Sequence, residues 1–549
     1  MKLPVCRLSI FLLFVALSSC TSAPEPTSER PDELASETSE PVRNVILIIG
    51  DGMGPQQLGL LQEYARRAPN SIYNGRPTAI EELAVEGVIS LASTTPHDGL
   101  VVDSACSATH LATGQDALLE AVGVDAQGDA ATTILEIARE MGKSTGLVSD
   151  TRITHATPAS FAAHISHRSR ENEIAQQMLD ADVDVMLSGG LRNFIPRAVN
   201  DNPDLRAQYE AFIDDAFDVH SAREDDTDLL SAAEEAGYQL AFHREGLRQA
   251  EGDRVLGLFS NSGMLDAIAE RATRDESDRT EPTLTEMSLA ALERLDRNPN
   301  GFFLMIEAGQ IDWAGHDNDA GLLLHEMIRI DETVAEVRRW AEGRTDTLLI
   351  VTADHETGGF GFSYSAADLP EPQHRPGSAF GEIPYQPNYN FGSLEILDAL
   401  FLQSKSFAQM LSEFYSGEDQ SPYELQKVVN AHSQFQITTE DAEAVLRDSP
   451  NRFHAPGHPY LDAESLPHVE DFSAFYPYGD DSRKNLLGRA LSTQQNVVWS
   501  TGTHTHTPVP VIAWGPAHWT GDFDRFLHLK DVGRLAIEAM SGSVQEAGR

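Results

Sequence analysis

The sequence predicts an α/β fold: a three-layer α/β/α sandwich on one large, mostly parallel central sheet, with an inserted cap region. Two patterns carry that prediction. Short unbroken apolar runs recur along the chain, and helix-length segments with apolar residues near helical spacing lie between several of them. Such runs fit strands buried on both faces, and their alternation with helices implies parallel crossovers that cover the sheet on each side. A third observation agrees with these. Asp51, Glu307, Asp354 and His355 fall at the C-terminal ends of such runs, where open α/β sheets bind ligands.

At 549 residues the chain can form a large α/β domain with insertions, or several units. Met1 to Cys20 places Lys2 and Arg7 before an apolar run through Ile10 to Leu17 and ends in Leu17-Ser18-Ser19-Cys20. The run is too short to remain in a bilayer, so an export signal is expected. Its ending resembles a bacterial lipobox, which would leave Cys20 lipidated. Residues 21–42, rich in Ser, Glu and Pro, are then expected to form a disordered tether. Together these predict an exported protein of the cell envelope or periplasm, held to a membrane through Cys20.

Of three cysteines, Cys6 would leave with the signal and Cys20 would be modified, so Cys106 has no intramolecular partner. It reads as buried filler beside a helix start. The formal charge of −45, from 85 acidic against 40 basic residues, is spread along the chain and argues against nucleic-acid binding.

In chain order, VILIIG (45–50) is the first buried strand and delivers Asp51 into GDGMG, where glycines 50, 52 and 54 let the backbone approach another group. Val101 to Gly114, VVDSACSATHLATG, opens a short helix. Asp103 is its expected N-cap, and Ser104 falls in the first turn, where unpaired N–H groups and the helix dipole favour an anion. An Asp-Ser pair in that setting is usually only a cap, so the rest of the chain must decide. Thr133 to Met141 is a helical pattern stopped by Gly142, followed by a strand at 146–149. Val183 to Leu187, Phe302 to Ile306, Leu348 to Thr352 and Val509 to Trp514 repeat the strand signature. Leu322 to Glu342 reads as a long helix stopped at Gly343. Residues 360–500, irregular and rich in Pro, Gly and aromatics, read as an insertion or cap within the same domain, with helices around 393–414. That leaves 43–359 and 501–549 as the catalytic domain.

Four polar clusters have metal-ligand character. Asp312 and His316 lie four apart in IDWAGH, so on a helix both point at one ion. Asp354 and His355 leave a strand together. His504, with His506 as a competing donor, precedes the strand at 509–514. Asp51 completes the set and, as a carboxylate, can bridge two cations. Two close cations beside a helix-start serine suit attack on a phosphate ester.

These residues resemble the alkaline phosphatase family. GDGMG, DSACSAT, THATPASFAAH, MIEAGQIDWAGH, VTADHETGG and HTHTPVPV occur in family order, from Val45 to about Pro516. The resemblance implies hydrolysis of phosphate monoesters through a phosphoserine on Ser104. It places one Zn²⁺ on Asp312, His316 and His504, and a second on Asp51, Asp354 and His355. His504 is preferred to His506 by counting back from the VIAWGP strand. Arg168 would clamp two phosphate oxygens, oriented by Asp103. A third ion, usually Mg²⁺, would use Asp51, Thr157 and Glu307. His155 stands beside that set where an aspartate often occurs, and Trp313 follows Asp312 where a lysine can; histidine suits Mg²⁺ less well than carboxylate does. Three divalent ions and Arg168 would outweigh the four carboxylates and make the pocket locally cationic in an acidic protein. The resemblance also implies broad specificity for small phosphate monoesters and a homodimer.

Within the same broad fold the rivals are a phosphodiesterase and a sulfatase. Sulfatases need Pro and Arg in fixed register after a Cys or Ser, and CSAT at 106–109 lacks both. Diesterases of this superfamily usually lack the third metal, for which Thr157 and Glu307 are present. A non-catalytic metal- or phosphate-binding surface lipoprotein is the alternative from another class.

Overall fold

The structure is a computed structural model that describes residues 40–472 and 474–542. The expected export signal, Cys20 and most of the expected tether lie outside the described residues. Val42 is already buried, and its N–H donates to the Ala539 carbonyl.

Ten strands form the central sheet: β1 (Asn44–Gly50), β2 (Val88–Ser93), β3 (Ser144–Arg152), β4 (Val185–Gly189), β5 (Gln239–Ala241), β6 (Val255–Leu258), β7 (Phe302–Ala308), β8 (Thr347–Ala353), β9 (Val509–Trp514) and β10 (Leu527–His528). Their order is β10-β2-β9-β8-β1-β7-β3-β4-β6-β5. The three strands β1, β7 and β8 are buried along their whole length, as their unbroken apolar sequences require. β9 pairs antiparallel with both β8 and β2, whereas the other pairings in the sheet are parallel. Its N-terminal end therefore lies at the edge where the parallel strands finish. That reversal lets the residues just before β9 meet those just after β1 and β8.

Helices surround the sheet. Ala320–Ala341 packs with Pro55–Arg67, Ala79–Glu86, Ala267–Thr273 and Leu284–Leu295, while Ser104–Thr113, Ile134–Glu140, Ala156–Ala162 and Leu529–Ser541 pack together. Local signals set their ends. Thr133 and Glu136 form a capping box that starts Ile134–Glu140, and Gly142 follows it with φ +70°. Asp319 caps Ala320–Ala341 through Leu322 N, and Gly343 follows it with φ +77°. The sequence signals did not announce β5, β6 and β10, which have two to four residues each; periodicity has too few residues to act on there.

The 360–500 stretch leaves and rejoins the fold through one pairing, Gly361–Phe362 antiparallel to Val497–Val498. Among the described residues between them lie five α-helices, Glu395–Phe401, Phe407–Ser416, Pro422–His432, Thr439–Leu446 and Ser482–Gln495. Among the described residues, no helix is long and apolar enough to cross a membrane.

Candidate active site

The site gathers where β1, β7 and β8 end and β9 begins. Asp51 follows β1, Glu307 sits near the end of β7, and Asp354 and His355 follow β8. Beyond them, Glu356–Thr357 pairs antiparallel with His504–Thr505, which sets His504 opposite Thr357 and against the β8 loop. His506, two residues on, is exposed. Gly52 has φ +76°, and a Cβ there would lie 2.7 Å from Asp312 Cα. Glycine is thus required where the Asp51 turn meets the Gln310–Asp317 helix.

Ser104 is the first residue of the Ser104–Thr113 helix, and its Oγ lies 3.2 Å from His355 Nε2. Asp103 caps this helix, accepting from Ala105 N at 3.0 Å and Cys106 N at 3.4 Å. The same carboxylate accepts from Arg168 Nη1 at 3.1 Å, so the capping and orienting roles coincide. Arg168 also donates to His155 Nε2 at 3.2 Å. Arginine can only donate, so that imidazole nitrogen supplies a lone pair. Cys106 is buried, and its Sγ donates to the Ala117 carbonyl at 3.3 Å.

The ligand candidates converge in three groups. His316 Nε2 lies 3.2 Å from Asp312 Oδ2, and His504 Nε2 lies 3.2 Å from His316 Nε2 and 3.6 Å from Asp312 Oδ1. Asp51, Asp354 and His355 form the second group, with His355 Nε2 at 3.4 Å from Asp51 Oδ1 and 3.2 Å from Asp354 Oδ2. Asp51, His155 and Glu307 form the third, in which the carboxylates are the ligand candidates, because the Arg168 contact at Nε2 leaves the ring proton of His155 on Nδ1. Asp312, His355 and His504 are also close enough to share an ion, so the first two groups interpenetrate, as expected for cations about 4 Å apart. His316 and His504 direct their other ring nitrogens at carbonyls, Nδ1 to Gly502 O at 2.8 Å and to Val102 O at 2.9 Å. These contacts leave both Nε2 lone pairs facing the site.

The unsatisfied atoms show what the site lacks. Both Asp51 carboxylate oxygens, Thr157 Oγ1, Glu307 Oε1 and His155 Nδ1 are buried without a hydrogen-bond partner. Buried polar atoms left in that state are costly unless a cation or water fills the space between them. Burial, followed by the charges of Asp354, Asp312 and Glu307, holds the Asp51 carboxyl well above its usual range. Burial likewise pushes Asp354 up to about 7 and Glu307 up to about 8. Burial, with His504 next, keeps His355 neutral; burial, with Arg152 and Arg168 next, does the same for His155. Self-repelling carboxylates and the neutral imidazoles of His355 and His504 are donors suited to divalent cations, whereas His316, pushed up to about 9 against its burial by the Asp312 carboxylate, must lose a proton to bind one.

A pH dependence follows. With carboxylate pKa values higher folded than unfolded, the metal-free protein binds more protons folded, so its stability falls as pH rises through Asp354 at about 7 and Glu307 at about 8. The depressed imidazoles act oppositely, with His504 at about 4, but their contribution is complete above the ordinary histidine value. Bound cations remove the carboxylate penalty. The drop in melting temperature caused by a chelator is therefore expected to be larger at about pH 8.5 than at about pH 6.5. Equal drops would contradict the cluster's electrostatics.

Several supporting residues escape sequence reasoning. Thr357 Oγ1 donates to Asp312 Oδ1 at 2.5 Å and contacts His355 Nδ1 at 3.2 Å, linking the two ligand groups. Ser107, three residues after Ser104 on the same helical face, donates to Asp354 Oδ2 at 3.1 Å. Ser149 and Thr151 both donate to Glu307 Oε2. Asp150 accepts from Gly309 N at 2.7 Å and pairs with buried Arg329 at 3.0 Å, anchoring the turn between Glu307 and the Asp312 helix. Of these, Ser107 alone carried a usable signal, its helical spacing from Ser104.

A family model described as alkaline phosphatase matches residues 42–437. The chain belongs to the alkaline phosphatase family. It is 32% identical to alkaline phosphatase 3 of Bacillus subtilis over 63% of this chain and 68% of that one. It is 36% identical to the repressible alkaline phosphatase of Saccharomyces cerevisiae over 58% and 55%, respectively. Among solved structures, the alkaline phosphatase of Thermus thermophilus superimposes with a TM-score of 0.70 at 27% identity, covering 92% of each chain. As a member of this metal-dependent family the protein is a phosphatase, and its buried Asp, Glu and His groups are candidate metal ligands. In this alkaline phosphatase His504 lies beyond the residues that the family model matches, so its place in the site rests on the pairing with Thr357.

Proposed function

We propose that the protein hydrolyses phosphate monoesters through a phosphoserine on Ser104, in a pocket holding two Zn²⁺ and one Mg²⁺. The observation that carries this reading is the convergence of Ser104, Arg168 and three ligand groups around Asp51, whose two carboxylate oxygens accept no hydrogen bond. Asp312, His316 and His504 would hold one zinc, and Asp51, Asp354 and His355 the other. Asp51, Thr157 and Glu307 would hold magnesium, with His155 beside it. When bound, the ions supply charge that lowers the serine pKa, neutralises the phosphoryl oxygens and stabilises the departing alkoxide.

The chain's own groups do the rest. Arg168, fixed by Asp103, would bind two phosphoryl oxygens through its fork of donors and present phosphorus to Ser104 Oγ. The helix N-terminus at Ser104 adds a positive dipole end where negative charge gathers, the N–H groups of Ala105 and Cys106 being taken by Asp103. Ser104 Oγ attacks phosphorus, the ester P–O bond breaks, and the alcohol departs on the side opposite the serine. Water then cleaves the phosphoserine from that vacated side and regenerates the hydroxyl.

The test is a comparison of an aryl phosphate with its diester and sulfate analogues, before and after chelation. Monoester turnover is expected to dominate, to vanish with chelator and to return with Zn²⁺ and Mg²⁺. Dominant diester or sulfate turnover would overturn the assignment. Lipidation of Cys20, placement in the cell envelope or periplasm and a homodimer are further parts of this proposal. They are supported by the lipobox-like ending and by the family resemblance.

A further inference from the structure

The 360–500 region sends one segment directly to the metal-ligand loop. Gly502 N donates to Tyr476 O at 3.1 Å, Thr501 Oγ1 donates to the same carbonyl at 3.3 Å, and Pro477 pairs with Gly502 in a parallel bridge. Gly502 O is the carbonyl that orients His316. Ser482 Oγ bonds Tyr478 O at 3.1 Å from the other side. Tyr478 is therefore mounted on the same loop as a ligand candidate, with its ring 5.1 Å from the His316 ring.

From Tyr478 the aromatic surface continues outward. Tyr476 lies 6.1 Å and Tyr460 6.5 Å from it, centroid to centroid. Tyr478 is 37% and Tyr460 62% exposed, so both residues reach solvent. Burial and then the Asp312 charge push the Tyr478 hydroxyl up to about 12, with Arg168 opposing, which places it within electrostatic reach of the phosphate pocket. In-line displacement puts the departing oxygen opposite Ser104. Ser104 contacts His355, so on the phosphoserine reading above the departing oxygen would lie toward Asp312, His316 and His504. The group attached to that oxygen would then pass His316, whose ring lies 5.1 Å from that of Tyr478.

We propose that Tyr478, with Tyr460 and Tyr476 beyond it, forms a stacking subsite for the planar aromatic part of a phosphate monoester, an aryl or nucleoside group. This rests on the phosphoserine reading above. Stacking on an exposed ring is tolerant of ring identity, so the subsite selects planarity rather than one compound.

The experiment compares para-nitrophenyl phosphate, adenosine monophosphate and ethyl phosphate as substrates of the metal-loaded full chain. Each variant is scored against wild type on the same ester, which cancels differences in leaving-group reactivity. Tyr478→Ala is expected to lower the preference for both aromatic esters over ethyl phosphate about tenfold, the scale of losing one stack. Tyr478→Phe should restore it. Tyr460→Ala should lower only the nucleotide preference, because a nucleobase reaches farther from phosphorus than a phenyl ring. As a binding readout, phenylphosphonate should lose its advantage over methylphosphonate as a competitive inhibitor in Tyr478→Ala. Equal losses on all esters, or an unchanged preference, would overturn the subsite while leaving the phosphatase reading intact. Turnover surviving in Ser104→Ala would overturn that reading instead.

Discussion

Ser104→Ala is expected to lower turnover of phosphate monoesters by ~10⁴-fold or more, with the metal content of the purified protein unchanged. The size follows from the absence of a ready substitute. Ser107 Oγ is engaged with Asp354 and with two backbone carbonyls, and Thr357 Oγ1 with Asp312, so neither is free to attack. The unchanged metal content follows because the two proposed zinc groups each have three Asp or His side chains to hold an ion without the serine. Elemental analysis beside steady-state kinetics checks both parts. Loss of activity together with loss of metal would make Ser104 a structural residue of the metal pocket rather than its nucleophile. A protein that only binds metal or phosphate would have no turnover to lose.

Asp51→Asn should be nearly as severe, lowering kcat/KM by ~10³-fold or more, for a different reason. Asp51 belongs to two ligand groups, so one substitution weakens two sites. In the metal-free protein the same carboxyl is buried against Asp354, Asp312 and Glu307, which is why its pKa is raised. The amide relieves that repulsion. The variant is therefore expected to melt at a higher temperature than wild type in chelator, and to gain less than wild type when zinc and magnesium are added. Calorimetry with and without metals reads both effects. A variant that retains full activity, or gains as much from metals as wild type, would remove Asp51 from the centre. The opposition between apo stability and activity is typical of sites whose strain serves function.

The sequence displayed much of this site because its polar residues stand at the ends of long apolar runs. VILIIG before Asp51 and LLIVTA before Asp354 announce both strands and positions. Asp312 and His316 were legible together because four residues span one helical turn. His504 was separable from His506 only by resemblance, and the reason is long-range: β9 runs against its neighbour β8, and Glu356–Thr357 pairs with His504–Thr505. Contacts of that kind depend on strand order, which local patterning does not encode. The same holds for Thr357, whose link to Asp312 crosses 45 positions, and for Asp150 with Arg329, which cross 179. Tyr478 was hidden among the irregular aromatics of 360–500, and only the bridge from Pro477 to Gly502 sets it beside His316.

The most direct measurement is to quench the metal-loaded enzyme in acid during turnover and map phosphorylated peptides by mass spectrometry. The account predicts one phosphoryl group on Ser104, absent without substrate and absent from Ser104→Ala. Steady turnover with no phosphoryl group on Ser104, or with one on another residue, would contradict it.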